Sequence, residues 1–265
     1  MRKAIFITGG GSGIGRATAQ LFAARDWFVG VADVDAAGMA GTMALLPAGQ
    51  ASMHRMDVTD RGQWASALSD FVMVSGGRLD VLFNNAGIGS GGPLAQTDFA
   101  ELDRVVAINF MGVLNGARIG HAYLAKTPGS CLLNTASASA IYGSSGLATY
   151  SATKFAVRAL TEALDGEWFG DGIKVRAIVP SFIETPLLNA SPVGSNETIR
   201  DRVTAAGLEL TPVDQVAEAA WAAVHGETIH TYVGKTAHRM AVAARWLPGK
   251  LRKMGRRGVT RKTPA

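Results

Sequence analysis

The segment "TYSATKFAV", residues 149 to 157, holds Tyr150 and Lys154 four positions apart. On a helix that spacing puts both side chains on one face, a turn apart. A phenol with a pKa near about 10 is a poor base at neutral pH, but an ammonium beside it favours the phenolate and draws the pKa toward the working range. The pair is a candidate proton carrier, to be weighed against a buried aromatic that merely neighbours a solvated lysine. Upstream, Ser137 follows the apolar run "SCLLNTA". Its hydroxyl can join a tyrosine in hydrogen bonding a reacting oxygen, although Ser139, Ser144 and Ser145 crowd the same stretch. Asn109, in "AINFMG", stands in an otherwise apolar helical pattern, where an amide needs partners to offset its burial.

A second set of residues suits binding. "TGGGSGIG", residues 8 to 15, follows an apolar run and precedes the amphipathic "RATAQLFAA". Gly9, Gly13 and Gly15 let the backbone turn tightly, so that a pyrophosphate can approach the N–H groups at a helix N-terminus, beside Ser12 and Ile14. This placement between strand and helix favours dinucleotide binding over a merely structural turn. Further on, "FVGVADVD" brings Asp33 to the end of the next apolar run. A carboxylate there can accept from both adenosine ribose hydroxyls and repels a 2′-phosphate. Neither Ser12 nor Val34 is basic, so NAD(H) is expected, with NADP(H) as the alternative.

These residues are placed by alternating elements. Apolar β-type runs at 3–8, 28–32, 51–56, 79–84, 130–136, 173–179 and 230–234 are separated by helix-sized segments. The alternation predicts an α/β fold, a single doubly wound domain of Rossmann type with a seven-stranded parallel sheet covered on both faces. It spans residues 1–234, followed by a basic extension over 235–265. In "TPVDQVAEAAWAAVHG", Thr211 is expected to cap a helix that Gly226 ends. Residues 180 to about 210 mix Pro, Ser and Asn with apolar residues. They read as a mobile substrate loop with a short helix, after the carboxyl end of a strand.

With the glycine turn, "NNAG" at 84–87, "LLNTAS" at 132–137 and "TYSATK" at 149–154 in order, the chain resembles the short-chain dehydrogenase/reductase family from residue 3 to about 234. The resemblance implies that Tyr150 is the general acid/base and that Lys154 also holds the nicotinamide ribose. It favours Ser137 as the hydroxyl that binds the substrate oxygen, with Ser139 lining the pocket. It also implies that Asn109 holds a water behind the lysine. Asn84, Ala86 and Gly87, the pair Asp57 and Val58, and Pro180, Ile183 and Thr185 match cofactor-contacting positions. Ser181 departs from the family's usual glycine.

Residues expected around the reacting carbon are Ala138, Ser139, Ile141, Tyr142, Phe182, Leu187 and Leu188, none of them charged, so a neutral, apolar secondary alcohol or ketone is the expected substrate. Dehydration or epimerisation, and a regulatory cofactor-binding module without turnover, are the competing classes. The intact set Asn109, Ser137, Tyr150 and Lys154 argues against both. The single cysteine, Cys131, sits in an apolar run and reads as an inert thiol, which suits a reducing compartment. The five histidines show no ligand spacing, so no metal is expected. No secretory leader or apolar run of spanning length is seen, and a cytoplasmic protein is expected, assembled as a homodimer or homotetramer.

The net charge of +5 hides an asymmetry. Ten Lys and Arg and no acid lie between Lys235 and Ala265, which leaves 16 basic against 21 acidic groups, a net −5, on residues 1–234. In the extension, Met240, Val242, Ala243, Trp246 and Leu247 are expected to form a face that packs on the body or on a partner subunit. The end from about Gly255 reads as solvated, in preference to membrane or nucleic-acid contact.

Overall fold

The computed structural model describes residues 2–189, 191 and 196–257. Seven strands form one sheet: β1 (Ala4–Thr8), β2 (Phe28–Asp33), β3 (Ala51–Arg55), β4 (Val81–Asn84), β5 (Cys131–Thr135), β6 (Lys174–Pro180) and β7 (His230–Val233). All pair in parallel, in the order β3-β2-β1-β4-β5-β6-β7. Among the described residues ten α-helices connect and follow them: α1 (Gly13–Ala24), α2 (Ala36–Met43), α3 (Arg61–Val74), α4 (Phe99–Val106), α5 (Gly112–Leu124), α6 (Ala148–Glu167), α7 (Ile199–Ala205), α8 (Val213–His225), α9 (Lys235–Trp246) and α10 (Pro248–Arg257).

The predicted doubly wound sheet is what forms. β1 and β5 are buried at every position because helices cover both faces, so apolar residues run consecutively over Ala4–Ile7 and Cys131–Leu133 rather than alternating. Ile5 and Ile7 face one layer, where Phe22 of α1 and Val216 and Ala220 of α8 pack on them. Phe6 points the other way, into Trp64, Leu68 and Phe71 of α3. Each such side chain contributes about 1.5–3 kcal/mol through its burial. From β1 the chain winds outward to β3, then returns to β4 on the other side of β1. That reversal opens a crevice beyond the carboxyl ends of β1 and β4, where doubly wound sheets take ligands.

The segment after β6 holds a 3₁₀ turn (Pro186–Asn189) and α7, and Ile183 bridges Thr211 in parallel. Residues 190 and 192–195 of the expected substrate loop lie outside the described residues. Thr211 does not cap α8. Its backbone is taken by that bridge, and its hydroxyl is buried without a partner. Pro212 occupies the N-cap position in its place.

The extension also departs from expectation. α9 packs through Ala237, Met240, Ala241 and Ala244, the i, i+3, i+4, i+7 stripe, rather than through Val242, Trp246 and Leu247. The small alanines allow close approach to the body beside Tyr232 and Val179. Helix continues past Gly255 to Arg257, and residues 258–265 lie outside the described residues. None of the described helices is long and apolar enough to cross a membrane.

Candidate active site

Three of the four candidate reacting residues meet at the carboxyl end of β5. Ser137 follows that strand and caps the 3₁₀ turn Ala138–Ala140, its Oγ accepting from Ser139 N at 3.2 Å. Its hydroxyl proton thus remains free to donate, and Ser137 lies close enough to Tyr150 to act on its phenol. Tyr150 and Lys154 lie in α6, as their spacing requires. Lys154 is buried, its Nζ donating to Thr135 O at 2.9 Å and lying 5.7 Å from the centre of the Tyr150 ring.

The electrostatics differ from the simple picture of a lysine lowering a phenol. Burial raises the Tyr150 pKa above its ordinary value, and the neighbouring Ser137 hydroxyl opposes this without overcoming it. Burial pushes the Lys154 ammonium down to about 8. In the free chain desolvation dominates both groups, because each loses water and neither gains a counter-charge.

Asn109 sits in a π-helical turn, Ala107–Met111, between α4 and α5, rather than in a regular helix interior. Such turns interrupt the i to i−4 ladder and free backbone groups. Its amide pairs fully with one residue: Oδ1 accepts from Ile88 N at 2.8 Å and Nδ2 donates to Ile88 O at 2.9 Å. A Cβ on Gly87 would lie 3.2 Å from Asn109 Oδ1 and 3.5 Å from Lys154 Nζ, so this glycine fills the narrow gap between them. If Asn109 serves the relay that the resemblance implies, Asn109→Leu is expected to lower turnover by roughly tenfold or more while cofactor affinity changes less. The reverse pattern, in titrations beside steady-state rates, would remove Asn109 from the relay.

The cofactor candidates line the crevice. Gly9 has a φ of 66°, and a Cβ on Gly15 would lie 2.1 Å from Gly9 O, so the turn closes only with glycines there. Ser12 makes no side-chain cap and the first turn of α1 carries no acid, leaving Gly13 and Ile14 at an N-terminus fit for an anion. Asp33 ends β2, its Oδ2 accepting from Gly11 N at 2.9 Å and its Oδ1 from Asp35 N at 3.1 Å. Each oxygen keeps a lone pair for a ribose hydroxyl. These residues fit the adenosine and pyrophosphate of a nicotinamide dinucleotide.

Several other candidates present less than expected. The Asn84 side chain turns away from the crevice, its Nδ2 donating to Val113 O and Asn134 Oδ1, which leaves only its backbone for a cofactor. The side chain of Val58 packs into the core beside Trp64, and Asp57 Oδ1 accepts from both N and Oγ1 of Thr59. Ala86 and Gly87 follow β4, where Ala86 N donates to Thr8 Oγ1. Pro180 ends β6, and Ser181 places an unpartnered hydroxyl beneath Gly234. Thr185 and Leu187 extend from Ile183 across the crevice. A Cβ on Gly13 would meet Thr185 Cγ2 at 3.2 Å, and one on Gly89 would meet Leu187 Cδ2 at 3.3 Å. Among the substrate candidates, Ser139, Tyr142 and Leu187 retain exposed surface, while Ile141 and Leu188 are buried beneath.

Sequence reasoning missed three bracing residues, Thr8, Asn85 and Arg16. Thr8 Oγ1 accepts from Asn85 N and Ala86 N, and Asn85 Nδ2 donates to Thr8 O, tying the end of β1 to the loop after β4. Arg16 donates to Gly11 O, Gly38 O and Thr42 Oγ1, locking the glycine turn to α2. Thr8 and Asn85 lie inside the quoted motifs, so the signal was present. Arg16 followed the last glycine with no distinguishing pattern. Cys131 is inert as expected, with burial raising its thiol to about 12. Among the described residues no group of side chains could hold a metal ion.

Residues 3–194 match the family model of the short chain dehydrogenases. The chain belongs to this family. It is 33% identical over 201 residues to meso-2,3-butanediol dehydrogenase of Serratia marcescens, covering 76% of this chain and 79% of that protein. Over 204 residues it is 34% identical to the 3-oxoacyl-[acyl-carrier-protein] reductase FabG of Thermotoga maritima, covering 76% of this chain and 82% of that protein. The solved structure of 3-ketoacyl-(acyl-carrier-protein) reductase from Brucella melitensis complexed with NADH aligns with a TM-score of 0.79 at 29% identity, over 89% of this chain and 98% of that one. As a short-chain dehydrogenase the protein is an oxidoreductase of a family that binds a nicotinamide cofactor and acts on small molecules.

Proposed function

We propose that this short-chain dehydrogenase transfers a hydride between NAD(H) and a neutral, apolar secondary alcohol or ketone. The observation that carries the reading is the grouping of Ser137 and Tyr150 beside buried Lys154, at the carboxyl end of β5 where the crevice opens. When bound, the nicotinamide supplies or accepts the hydride. Ser137 and Tyr150 hold the substrate oxygen, and Tyr150 gives its phenolic proton to a ketone or takes the proton of an alcohol. Lys154 holds the cofactor's ribose and its charge stabilises the phenolate as it forms. Asn109, across Gly87 from Lys154, anchors the end of the proton path.

Two observations support NAD(H) over NADP(H). Asp33 holds its carboxylate against the glycine turn at Gly11, and Arg16, the guanidinium bound to that same turn, is occupied by two carbonyls and a hydroxyl. Asp33→Ala is expected to narrow the ratio of kcat/KM for NAD over NADP by about tenfold or more, as the repulsion disappears. An unchanged ratio would overturn this assignment. The substrate class is supported by Ser139, Tyr142 and Leu187, the uncharged candidates that keep exposed surface. It is tested by a panel of apolar secondary alcohols with NAD, followed at the NADH absorbance, with carboxylated analogues as the contrast.

A further inference from the structure

The extension divides its apolar residues between two surfaces. Ala237, Met240, Ala241 and Ala244 pack α9 on the body. Val242, Trp246 and Leu247 are left outward at 61%, 70% and 53% exposure, and Met254 of α10 at 58%. A helix that only needed to dock on its own domain would not keep a tryptophan and its neighbours in water.

Cations frame this second surface. Arg245 lies 5.4 Å from the centre of the Trp246 ring, while Arg239, Lys250, Arg252, Lys253 and Arg256 are exposed and form no ion pair among the described residues. No acid occurs after Lys235. Exposed apolar side chains that include a tryptophan, set among unpaired Lys and Arg, match a surface that is anionic outside and apolar within.

We propose that α9 and α10 dock the enzyme on an anionic lipid surface. Val242, Trp246, Leu247 and Met254 enter the headgroup region, and the unpaired cations meet lipid phosphates. A second copy of the chain also carries net negative charge on residues 1–234, and it is the occupant that the test below separates from lipid. α10 is tied to the active-site side of the molecule, since Ser145 Oγ donates to Gly255 O at 2.9 Å in the loop that leads to Tyr150. The docked surface therefore lies beside the route to the substrate pocket.

The test is flotation of the full-length protein with vesicles of phosphatidylcholine alone, or mixed equally with phosphatidylglycerol. Binding is expected only to the mixed vesicles, with release at high salt. Trp246→Ser and the double replacement Arg252→Glu, Lys253→Glu are each expected to cut the bound fraction about tenfold or more. Both are expected to oxidise a short soluble alcohol at the unaltered rate, which separates failure of docking from failure of the catalytic reading. Absence of binding to mixed vesicles, or wild-type binding by both variants, overturns the proposal. So does a change of oligomeric state on charge reversal with vesicle binding retained, which would make a second copy the partner.

Discussion

Phenylalanine in place of Tyr150 is expected to remove turnover by about 10²–10⁴-fold, the usual contribution of a positioned acid or base, with NAD(H) affinity nearly unchanged. The ring is retained, so its contact with Lys154 survives and only the proton carrier is lost. A drop of less than about tenfold, beside an unaltered melting temperature, would assign the proton to another group. The direction of the Tyr150 shift fixes the pH dependence as well. Because burial holds the phenol above its ordinary pKa, it is protonated at neutral pH and ready to donate to a ketone. Alcohol oxidation needs the phenolate, so its kcat/KM rises with pH on the alkaline side, while reduction falls as the phenol is lost. Initial rates in both directions across that range check the sign.

The second large effect concerns Lys154. Lys154→Met is expected to lower turnover by about 10²-fold, since the charge that stabilises the phenolate is gone. The same replacement changes stability in a way that a solvated lysine would not show. The unfolded chain holds this proton up to the ordinary lysine value of 10.5, and the folded chain only to about 8. Between those values the unfolded state binds more protons, so the contribution of Lys154 to stability rises with pH. Below about 8 both states are charged, and the buried ammonium costs roughly 3 kcal/mol relative to its neutral form. Denaturation midpoints of the cofactor-free protein should climb, from neutral pH to pH 9.5, more steeply for the wild type than for Lys154→Met. Parallel curves would mean that the lysine is solvated and its pKa ordinary.

Much of this molecule was legible along the chain. Strand positions could be read to within two residues because buried parallel strands are short apolar runs bounded by turn residues, a purely local signal. The glycine turn, Asp33, and the pair Tyr150 and Lys154 were legible for the same reason: their spacing is set by one turn of backbone or one helical repeat. The partner of each polar group was not local. Of the two asparagines in "NNAG", strand parity sends Asn84 inward to Asn134, while Asn85 braces the end of β1. Only the assembled sheet shows which of them faces the crevice.

Thr211 has the chemistry of a helix cap, yet its bridge to Ile183 draws it into the core. α9 has two apolar stripes, and the choice between them depended on which one fits the surface beside β6 and β7. The sign of the Tyr150 shift also required tertiary structure, because desolvation depends on everything packed around a group and not on the lysine four residues away. The sequence alone determined the sheet, its winding and the residues able to carry the chemistry, since each is written in local periodicity and spacing. Tertiary structure decided which side chains meet, which are desolvated and which apolar face stays outside, since these depend on surfaces brought together from distant parts of the chain.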